Sequence, residues 1–275
     1  LPLGDNGSVL MLFVIPFPQI DPVLFAIGPF AVRWYALSYV AGLVLGWQLL
    51  RRRASECGDD LSADNIDDFL VWATIGIIFG GRLGYVLFYN LQYFLANPSE
   101  IFATWRGGMS FHGGFLGVVV AGLLFCRRHK LSPLILGDML ACAAPIGLFF
   151  GRIANFINGE LYGRVTDAPW GLVFRHGGPE PRHPSQLYEA FLEGLVLFVV
   201  LNIMWRSENI RANRGVLTGT FIAGYAIARM IVELFRQPDS HIGFLTIGST
   251  MGQWLSVPML IIGIGMIIWG LRRTA

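Results

Sequence analysis

The sequence predicts an all-α polytopic membrane protein with about seven transmembrane helices, a small periplasmic head and an arm in the membrane interface. Of its 275 residues, 54% are hydrophobic and only 14% are charged, and the mean hydropathy is +0.57. Soluble domains are less apolar, with about a quarter of their residues charged. The apolar residues also fall into long stretches, and arginine is concentrated in alternate connections between them. These observations exclude an ordinary soluble fold.

The apolar stretches are long enough to cross a bilayer as helices, for which roughly 17 to 25 consecutive apolar residues are needed. Each stretch is therefore predicted to be one transmembrane helix. The stretches lie near Phe30–Leu50, Phe69–Tyr89, Phe111–Cys126, Leu134–Phe150, Leu187–Trp205, Val216–Leu234 and Met251–Leu271.

The basic residues indicate how these helices are oriented. They gather after the first, third, fifth and seventh stretches, and the positive-inside rule assigns such connections to the cytoplasm. The N-terminus is therefore expected outside and the C-terminus inside. The connection before His112, residues 151–184 and residues 236–250 are then expected together on the periplasmic side. The basic clusters are Arg51–Arg53, Arg127–Lys130, Arg206–Arg214 and Arg272–Arg273.

We expect one transmembrane domain, residues 11–275, preceded by an expression-derived extension, residues 1–10, that does not belong to the fold. Within the domain, residues 90–110 are predicted to form the interfacial arm, because aromatic rings favour the headgroup region. Residues 151–184, which are rich in glycine and proline, are predicted to form the periplasmic head. The three cysteines lack the spacing of a metal site or a disulfide framework, so no metal is expected. No cofactor is expected either.

Several ionisable side chains lie inside the apolar stretches. Arg82 lies in the second stretch, and Glu189 and Glu193 are four residues apart in the fifth. Arg229 and Glu233 have the same spacing in the sixth. Such a residue costs about 2.5–3.5 kcal/mol at mid-helix, so it normally faces a cavity or a partner and indicates function. An i,i+4 ion pair that only locks the helix bundle is the structural alternative.

The glycine-punctuated segment Gly151–Gly163 carries an arginine, two asparagines and a glutamate, Glu160. Arg152 suits bidentate contact with a phosphate group. The amides of Asn155 and Asn158 can hydrogen-bond a hydroxyl or position the arginine. A phosphate-binding segment and an ordinary turn held by side-chain hydrogen bonds both fit these residues.

Two histidines are candidates for a general base. His112 lies between two glycine pairs at the outer start of the third stretch, where a helix cap or interface role is the alternative. A cap or interface role is the commoner one for a histidine at a helix start, but the two glycine pairs leave space for a large substrate and so add support for a base. His183 ranks second, because the prolines around it favour a rigid lead-in to the next helix with Ser185 near the N-cap.

Six motifs together resemble the bacterial prolipoprotein diacylglyceryl transferase family over nearly all of the chain after Pro18. The Gly151–Gly163 signature is highly specific, whereas the Gly-Gly-Arg motif alone is weak. The chain departs from the better-known members by a shorter head between Phe174 and Pro181. The motifs are Arg33–Tyr35, Gly80–Tyr85, Gly108–Gly114, Gly151–Gly163, Arg182–Glu189 and Tyr225–Pro238.

The resemblance implies transfer of a diacylglyceryl group from phosphatidylglycerol to the lipobox cysteine of a prolipoprotein, forming a thioether and releasing glycerol phosphate. It implies seven membrane helices with a periplasmic head, in agreement with the orientation above. The expected location is the bacterial inner membrane, with the active site toward the periplasmic leaflet. The expected partners are phosphatidylglycerol, the signal peptide and lipobox of the prolipoprotein, and the bilayer; nucleic acid is not expected.

The resemblance places Arg152 and Arg229 at the positions that the family uses for phospholipid binding and turnover. In the mechanism that we expect, these two arginines hold the phosphate, and His112 is the candidate base. Glu233 and Glu160 are expected to orient the guanidiniums. The expected substrate-binding residues are Tyr35, Arg82, Arg152, Asn155, Asn158, Glu160, Gly163, Tyr225, Arg229, Glu233 and Arg236.

Two other function classes fit the composition. A lipid or small-anion transporter also places arginine and glutamate inside the membrane, but repeated halves or broken helices in corresponding positions are expected of it, and the sequence shows neither. A structural membrane scaffold explains glycine-rich helix packing. It does not explain an outward cluster of arginine, asparagine and histidine.

Overall fold

The computed structural model of the chain describes residues 15–18, 20–28, 30–238, 243–245 and 248–273. The extension expected at residues 1–10 lies outside the described residues. Within these residues helices dominate, and four short strands form one parallel pair, β1 with β4, and one antiparallel pair, β2 with β3. The helices are α1 (Trp34–Ala54), α2 (Ala63–Phe88), α3 (Leu91–Ala96), α4 (Phe111–His129), α5 (Pro133–Asn158), α6 (Ser185–Glu189), α7 (Leu197–Trp205), α8 (Glu208–Ala212), α9 (Val216–Val232) and α10 (Met251–Arg272). The strands are β1 (Ile15–Pro16), β2 (Val23–Ile27), β3 (Phe30–Arg33) and β4 (Leu172–Val173).

Within the described residues, five helical segments are long and apolar enough to cross a membrane: α2, α4, α5, the continuous helix Ser185–Trp205, and α10. Helix α9 is apolar but has only 17 residues. Large hydrophobic side chains such as Phe79 and Ile261 are exposed on these helices, as expected of surfaces that contact lipid. The prediction of a helical multi-pass membrane protein is therefore confirmed. The number of seven spans and the orientation of the termini stay predictions.

The first predicted stretch begins too early. Residues Phe30–Arg33 form β3, which pairs with β2, and α1 begins only at Trp34. Gly28, just after β2, has a φ of +59°, a left-handed conformation that glycine adopts without steric cost. Hydropathy could not reveal this hairpin, because an apolar strand and an apolar helix end score alike.

Helix α5 continues about two turns beyond Phe150, where the apolar stretch ends. The only weak helix former at that boundary is Gly151, and a single glycine costs only about 1 kcal/mol relative to alanine. The helix ends instead before Gly159, whose φ of +67° is typical of a helix C-terminus. Arg152 and Asn155 are therefore helical neighbours on one face, and not loop residues.

The helix that carries Glu189 and Glu193 is interrupted by a π-helical segment, Ala190–Val196, between α6 and α7. Such wide turns are rare and are found frequently at functional sites. Both glutamates are fully buried.

The chain divides into two compact units. The head unit comprises the described residues of Leu1–Gly42, Pro145–Val200 and Ile222–Ile264. The arm unit comprises those of Leu43–Ala144, Leu201–Phe221 and Gly265–Ala275.

In the arm unit, α2 and α4 approach each other through glycines. Gly76, Gly80 and Gly84 recur every fourth residue on α2, and they face Gly113 and Gly117 of α4. A Cβ on Gly80 would lie 2.7 Å from the Cα of Gly117. Small residues at this spacing let membrane helices pack backbone against backbone.

Candidate active site

Six charged side chains of the head unit form one continuous network of ion pairs. They come from α5, from the Ser185–Trp205 helix, and from α9 with the turn that follows it. Within the described residues, three guanidiniums thus meet three carboxylates. The members are Arg152, Glu189, Glu193, Arg229, Glu233 and Arg236.

Glu189 bridges two of the arginines. Its Oε2 lies 3.2 Å from Nε of Arg152, and its Oε1 accepts a hydrogen bond of 2.5 Å from Nη1 of Arg229. Glu193, four residues further on, lies 3.3 Å from Nη2 of Arg152 and 3.9 Å from Nη1 of Arg229. Carboxylates shared in this way fix the planes of both guanidiniums.

The second amine of Arg229 extends the network. Its Nη2 lies 2.6 Å from Oε1 of Glu233, and the same oxygen lies 3.4 Å from Nη1 of Arg236. A Cβ on Gly252 of α10 would lie only 2.6 Å from the carboxyl carbon of Glu233, so the glycine makes room for this carboxylate. The i,i+4 pair considered as a structural alternative therefore exists, but it is one link of a larger network.

The carboxylates of the network are buried beneath the guanidiniums. The side chains of Glu189 and Glu193 are 0% exposed, whereas those of Arg152 and Arg229 are 18% and 13% exposed. Among the described residues, neither Nη1 of Arg152 nor Nε of Arg229 has a hydrogen-bond partner. The accessible edge of the network therefore offers N–H donors, which suits a phosphate group.

The sequence marks Glu189 and Glu193 as costly charges in an apolar helix but does not reveal that they pair with Arg152 and Arg229. The orienting role is expected there of Glu233 and Glu160. The i,i+4 spacing of Glu189 and Glu193 in an apolar stretch was the available signal. Their partners could not be inferred, because Arg152 and Arg229 lie about 40 residues away in opposite directions along the chain.

Glu160 has partners other than those expected. Its Oε1 accepts hydrogen bonds from the amides of Asn155 at 2.8 Å and Asn158 at 3.3 Å, and it pairs with no guanidinium among the described residues. The expectation that Glu160 orients an arginine is wrong. The turn at Gly159 directs the chain back over the end of α5, so that the Glu160 amide also donates to the carbonyl of Asn155.

Two tyrosines lie beside the network. Tyr225 is within electrostatic range of Glu189, Glu193, Arg152 and Arg229. Tyr35, in the first turn of α1, forms a hydrogen bond of 3.0 Å with the hydroxyl of Tyr39 and is within electrostatic range of Arg152 and Glu160.

Gly163 is a packing position in the head. A Cβ there would lie 2.6 Å from the carbonyl oxygen of Phe235 and 2.7 Å from both Cβ and the carbonyl oxygen of His183. Its amide donates to the carbonyl of His183 at 2.8 Å, and the next residue, Arg164, donates to the carbonyls of Glu233 and Arg236 at 2.9 Å each. The head is thus tied to the turn that carries Glu233 and Arg236.

Arg82 and His112 belong to the arm unit. The buried Arg82 guanidinium donates to backbone carbonyls of the arm, among them those of Glu100 and Gly107 at 2.6 Å each and Ile101 at 2.8 Å. Its guanidinium also lies 5.0 Å from the ring of Phe94. Arg82 therefore holds the interfacial arm on α2.

His112 is the second residue of α4 and is exposed. Ser110 caps this helix by accepting a hydrogen bond from the amide of Gly113, and its own amide donates to Gly81 at 2.9 Å. The segment that leads to His112 is thereby tied to α2.

His183 occupies an aromatic corner of the head. Its Nδ1 lies 3.1 Å from the hydroxyl of Tyr188, which accepts a hydrogen bond of 2.7 Å from Nε1 of Trp170. Burial, and then the nearby Arg164 guanidinium, hold the pKa of His183 below its usual value. His183 is therefore neutral at pH 7, and its contacts match the structural alternative of a rigid lead-in to α6.

The chain is similar to known proteins over almost its whole length. The model of the prolipoprotein diacylglyceryl transferase family matches residues 22–269. A protein of Rhodospirillum rubrum is 58% identical over 256 residues, which are 92% of this chain and 93% of the relative. One of Paramagnetospirillum magneticum is 55% identical over 266 residues, 96% of this chain and 99% of the relative. Both are named phosphatidylglycerol–prolipoprotein diacylglyceryl transferase, and all the network residues fall inside the matched range.

Proposed function

Because this chain belongs to the prolipoprotein diacylglyceryl transferase family, we propose that its network of ion pairs holds phosphatidylglycerol by the phosphate. The chain is a transferase that moves the diacylglyceryl group of phosphatidylglycerol to prolipoprotein, the first step of lipoprotein maturation. The main support for this proposal is that Arg152 and Arg229 are partly exposed and are held in a fixed orientation by buried carboxylates.

The chemistry explains why the cations are needed. The cysteine sulfur of the prolipoprotein attacks the glyceryl carbon that carries the phosphate ester, a carbon–sulfur bond forms, and the carbon–oxygen bond to phosphate breaks. Glycerol phosphate leaves with the bonding electrons, so its phosphate gains a second negative charge. Guanidiniums already aimed at that phosphate stabilise the transition state more than the bound lipid, which is the requirement for catalysis.

The attacking thiol must also lose its proton. A cysteine titrates near pH 8.5, so only a few per cent is thiolate at about pH 7, and a base accelerates the reaction. We assign this role to His112, whose imidazole is exposed at the start of α4. A His112→Gln enzyme with an unchanged rate at neutral pH would exclude the assignment.

The remaining polar residues have supporting roles in this proposal. The cluster of Asn155, Asn158 and Glu160 lies at the end of the helix that carries Arg152, and it supplies amide and carboxylate groups for the glycerol hydroxyls. Tyr35 and Tyr225 line the same region. The arm held by Arg82 lies in the membrane interface, with exposed aromatic rings such as Phe102 and Trp105.

The site faces the periplasmic leaflet of the bacterial inner membrane in the orientation that the arginine clusters predict. With α1 and α9 included, the bundle has seven spans, the N-terminus outside and the C-terminus inside. The lipobox of the prolipoprotein then reaches the site from the periplasmic side.

Mass spectrometry of a lipobox peptide tests the function directly. The peptide is incubated with phosphatidylglycerol and the detergent-solubilised chain, and the product gains the mass of one diacylglyceryl group while glycerol phosphate appears in equal amount. A peptide with serine in place of the cysteine is the control and stays unmodified. Movement of lipid across a vesicle membrane without any adduct would instead support the transporter.

A further inference from the structure

The charges of the network cancel before any lipid is bound. Among the described residues, Arg152, Arg229 and Arg236 are balanced by Glu189, Glu193 and Glu233. A phospholipid phosphodiester brings one further negative charge. The occupied site would then carry a net negative charge next to two carboxylates that are 0% exposed.

An uncompensated charge in such surroundings is unfavourable. The desolvation penalty for a buried ion is several kcal/mol. A titratable group in this position usually becomes neutral instead. The least costly way to admit the phosphate is therefore to protonate one carboxylate of the network.

The contacts identify which carboxylate accepts the proton. Glu189 has a hydrogen bond of 2.5 Å to Arg229, and Glu233 lies 2.6 Å from another amine of the same arginine. The closest contact of Glu193 is longer, 3.3 Å to Nη2 of Arg152. Glu189 and Glu193 each have one buried carboxylate oxygen without a hydrogen-bond partner among the described residues, so it is the longer contact that distinguishes Glu193. Neutralising Glu193 therefore sacrifices less favourable interaction with the arginines than neutralising Glu189 or Glu233.

We propose that phosphate binding at this site is coupled to the uptake of one proton by Glu193. The groups that face Glu193 are Arg152 from α5, Arg229 and Tyr225 from α9, and Glu189 one turn earlier on its own helix. The inference rests on the proposed function, because it requires the phosphate to be held by the arginines. A neutral Glu193 leaves Arg152 free to turn its Nη2 donor toward the phosphate.

The proton also matters for the reaction. When the carbon–oxygen bond breaks, the departing glycerol phosphate gains a second negative charge. A proton already present on Glu193 keeps the site closer to neutral when this charge develops. The proton can then pass to the phosphomonoester dianion, which leaves as a monoanion. Glu193 is then ready to pair again with Arg152.

Isothermal titration calorimetry of lipid binding measures how many protons the chain takes up per lipid bound. The full chain in a non-ionic detergent is titrated near neutral pH with a short-chain phosphatidylglycerol, without prolipoprotein, in two buffers of different ionisation enthalpy. The difference between the two observed enthalpies gives the number of protons taken up. We expect about one for the unmodified chain, and a Kd that rises up to about tenfold per pH unit in alkaline solution. Enthalpies that do not differ between the buffers would overturn the proposal, whatever the variants do.

Variants test separately whether Glu193 accepts the proton and whether the arginines bind the phosphate. Glu193→Gln is expected to bind lipid with no proton uptake, and Glu193→Asp to retain the uptake. Glu208→Gln, the same exchange at an exposed glutamate of α8, should leave the count at about one. Continued uptake by a folded Glu193→Gln would exclude Glu193 as the acceptor. Arg229→Gln should weaken binding about tenfold or more; if it binds as tightly as the unmodified chain, the phosphate site itself is wrong.

Discussion

The guanidinium of Arg229 makes contacts in two directions, with Glu189 at 2.5 Å through Nη1 and with Glu233 at 2.6 Å through Nη2. A lysine keeps the positive charge but has a single ammonium group, which cannot reproduce the planar fork. We therefore expect Arg229→Lys to insert and fold but to transfer lipid about a hundredfold more slowly, the typical cost of one lost transition-state donor. The rate of labelled diacylglyceryl transfer measures this.

The matched control for this variant is Arg272→Lys, at an exposed arginine in the last turn of α10. It should leave the transfer rate unchanged. Near-normal transfer by Arg229→Lys would remove this arginine from the phosphate site.

Gly163 supports the site through packing. A Cβ at this position meets two backbone oxygens and the Cβ of His183, none of which belongs to a flexible side-chain end. Gly163→Ala is therefore expected to lower the melting temperature in detergent and to reduce activity, since overpacking costs about 1–3 kcal/mol. Gly151→Ala is the control, because its Cβ would meet nothing within 4 Å and alanine favours a helix. Equal melting temperatures for the two variants would contradict this account.

At the scale of the elements, the contact of α2 with α4 depends on glycine. Gly80→Ala places a methyl group 2.7 Å from the Cα of Gly117, so the helices must separate. We expect a loss of about 1–3 kcal/mol in stability, measured by unfolding in mixed detergent. Gly265→Ala on α10, where a Cβ meets nothing within 4 Å, should be neutral. A Gly80→Ala chain as stable as the Gly265→Ala chain would show that this close approach does not stabilise the arm unit.

The helices could be predicted from the sequence, but some of their ends could not. Hydropathy indicates which part of a helix contacts lipid, and the fourth apolar stretch ends at Phe150. The helix itself continues to Asn158, because backbone hydrogen bonding does not depend on apolar side chains. Hydropathy also missed the strand Phe30–Arg33. The π-helical segment Ala190–Val196 has no signal in a pattern of apolar residues.

The sequence allows most residues of the candidate site to be identified, but only some of the contacts between them. Arg152 and Arg229 can each be identified from the sequence, because a charged side chain in or next to an apolar helix is costly and normally has a cavity or a partner. That Glu189 joins them depends on tertiary packing between distant segments, which local spacing does not encode. For the same reason the sequence suggests a guanidinium as the partner of Glu160, whereas Glu160 accepts hydrogen bonds from two nearby amides.

For the whole molecule, the distribution of arginine predicts the topology. A cysteine introduced at the exposed Asp167 of the head, in a chain without its three native cysteines, should react with a membrane-impermeant maleimide added to intact spheroplasts. A cysteine at the exposed Glu208 of α8 should react only after lysis. The reverse pattern would invert the orientation and move the site to the cytoplasmic leaflet.

The proposed binding of phosphatidylglycerol requires direct contact between guanidinium nitrogens and the lipid phosphate. Solid-state NMR of the arginine-labelled chain in bilayers of phosphatidylglycerol measures the dipolar coupling between guanidinium nitrogen and lipid phosphorus. We expect a coupling that corresponds to a separation of about 4 Å, as in direct N–H···O–P hydrogen bonding, and its loss when Arg152 and Arg229 are both replaced by lysine. A chain that transfers lipid while its arginines show no such coupling, or one whose coupling survives the double replacement, would contradict the proposed binding.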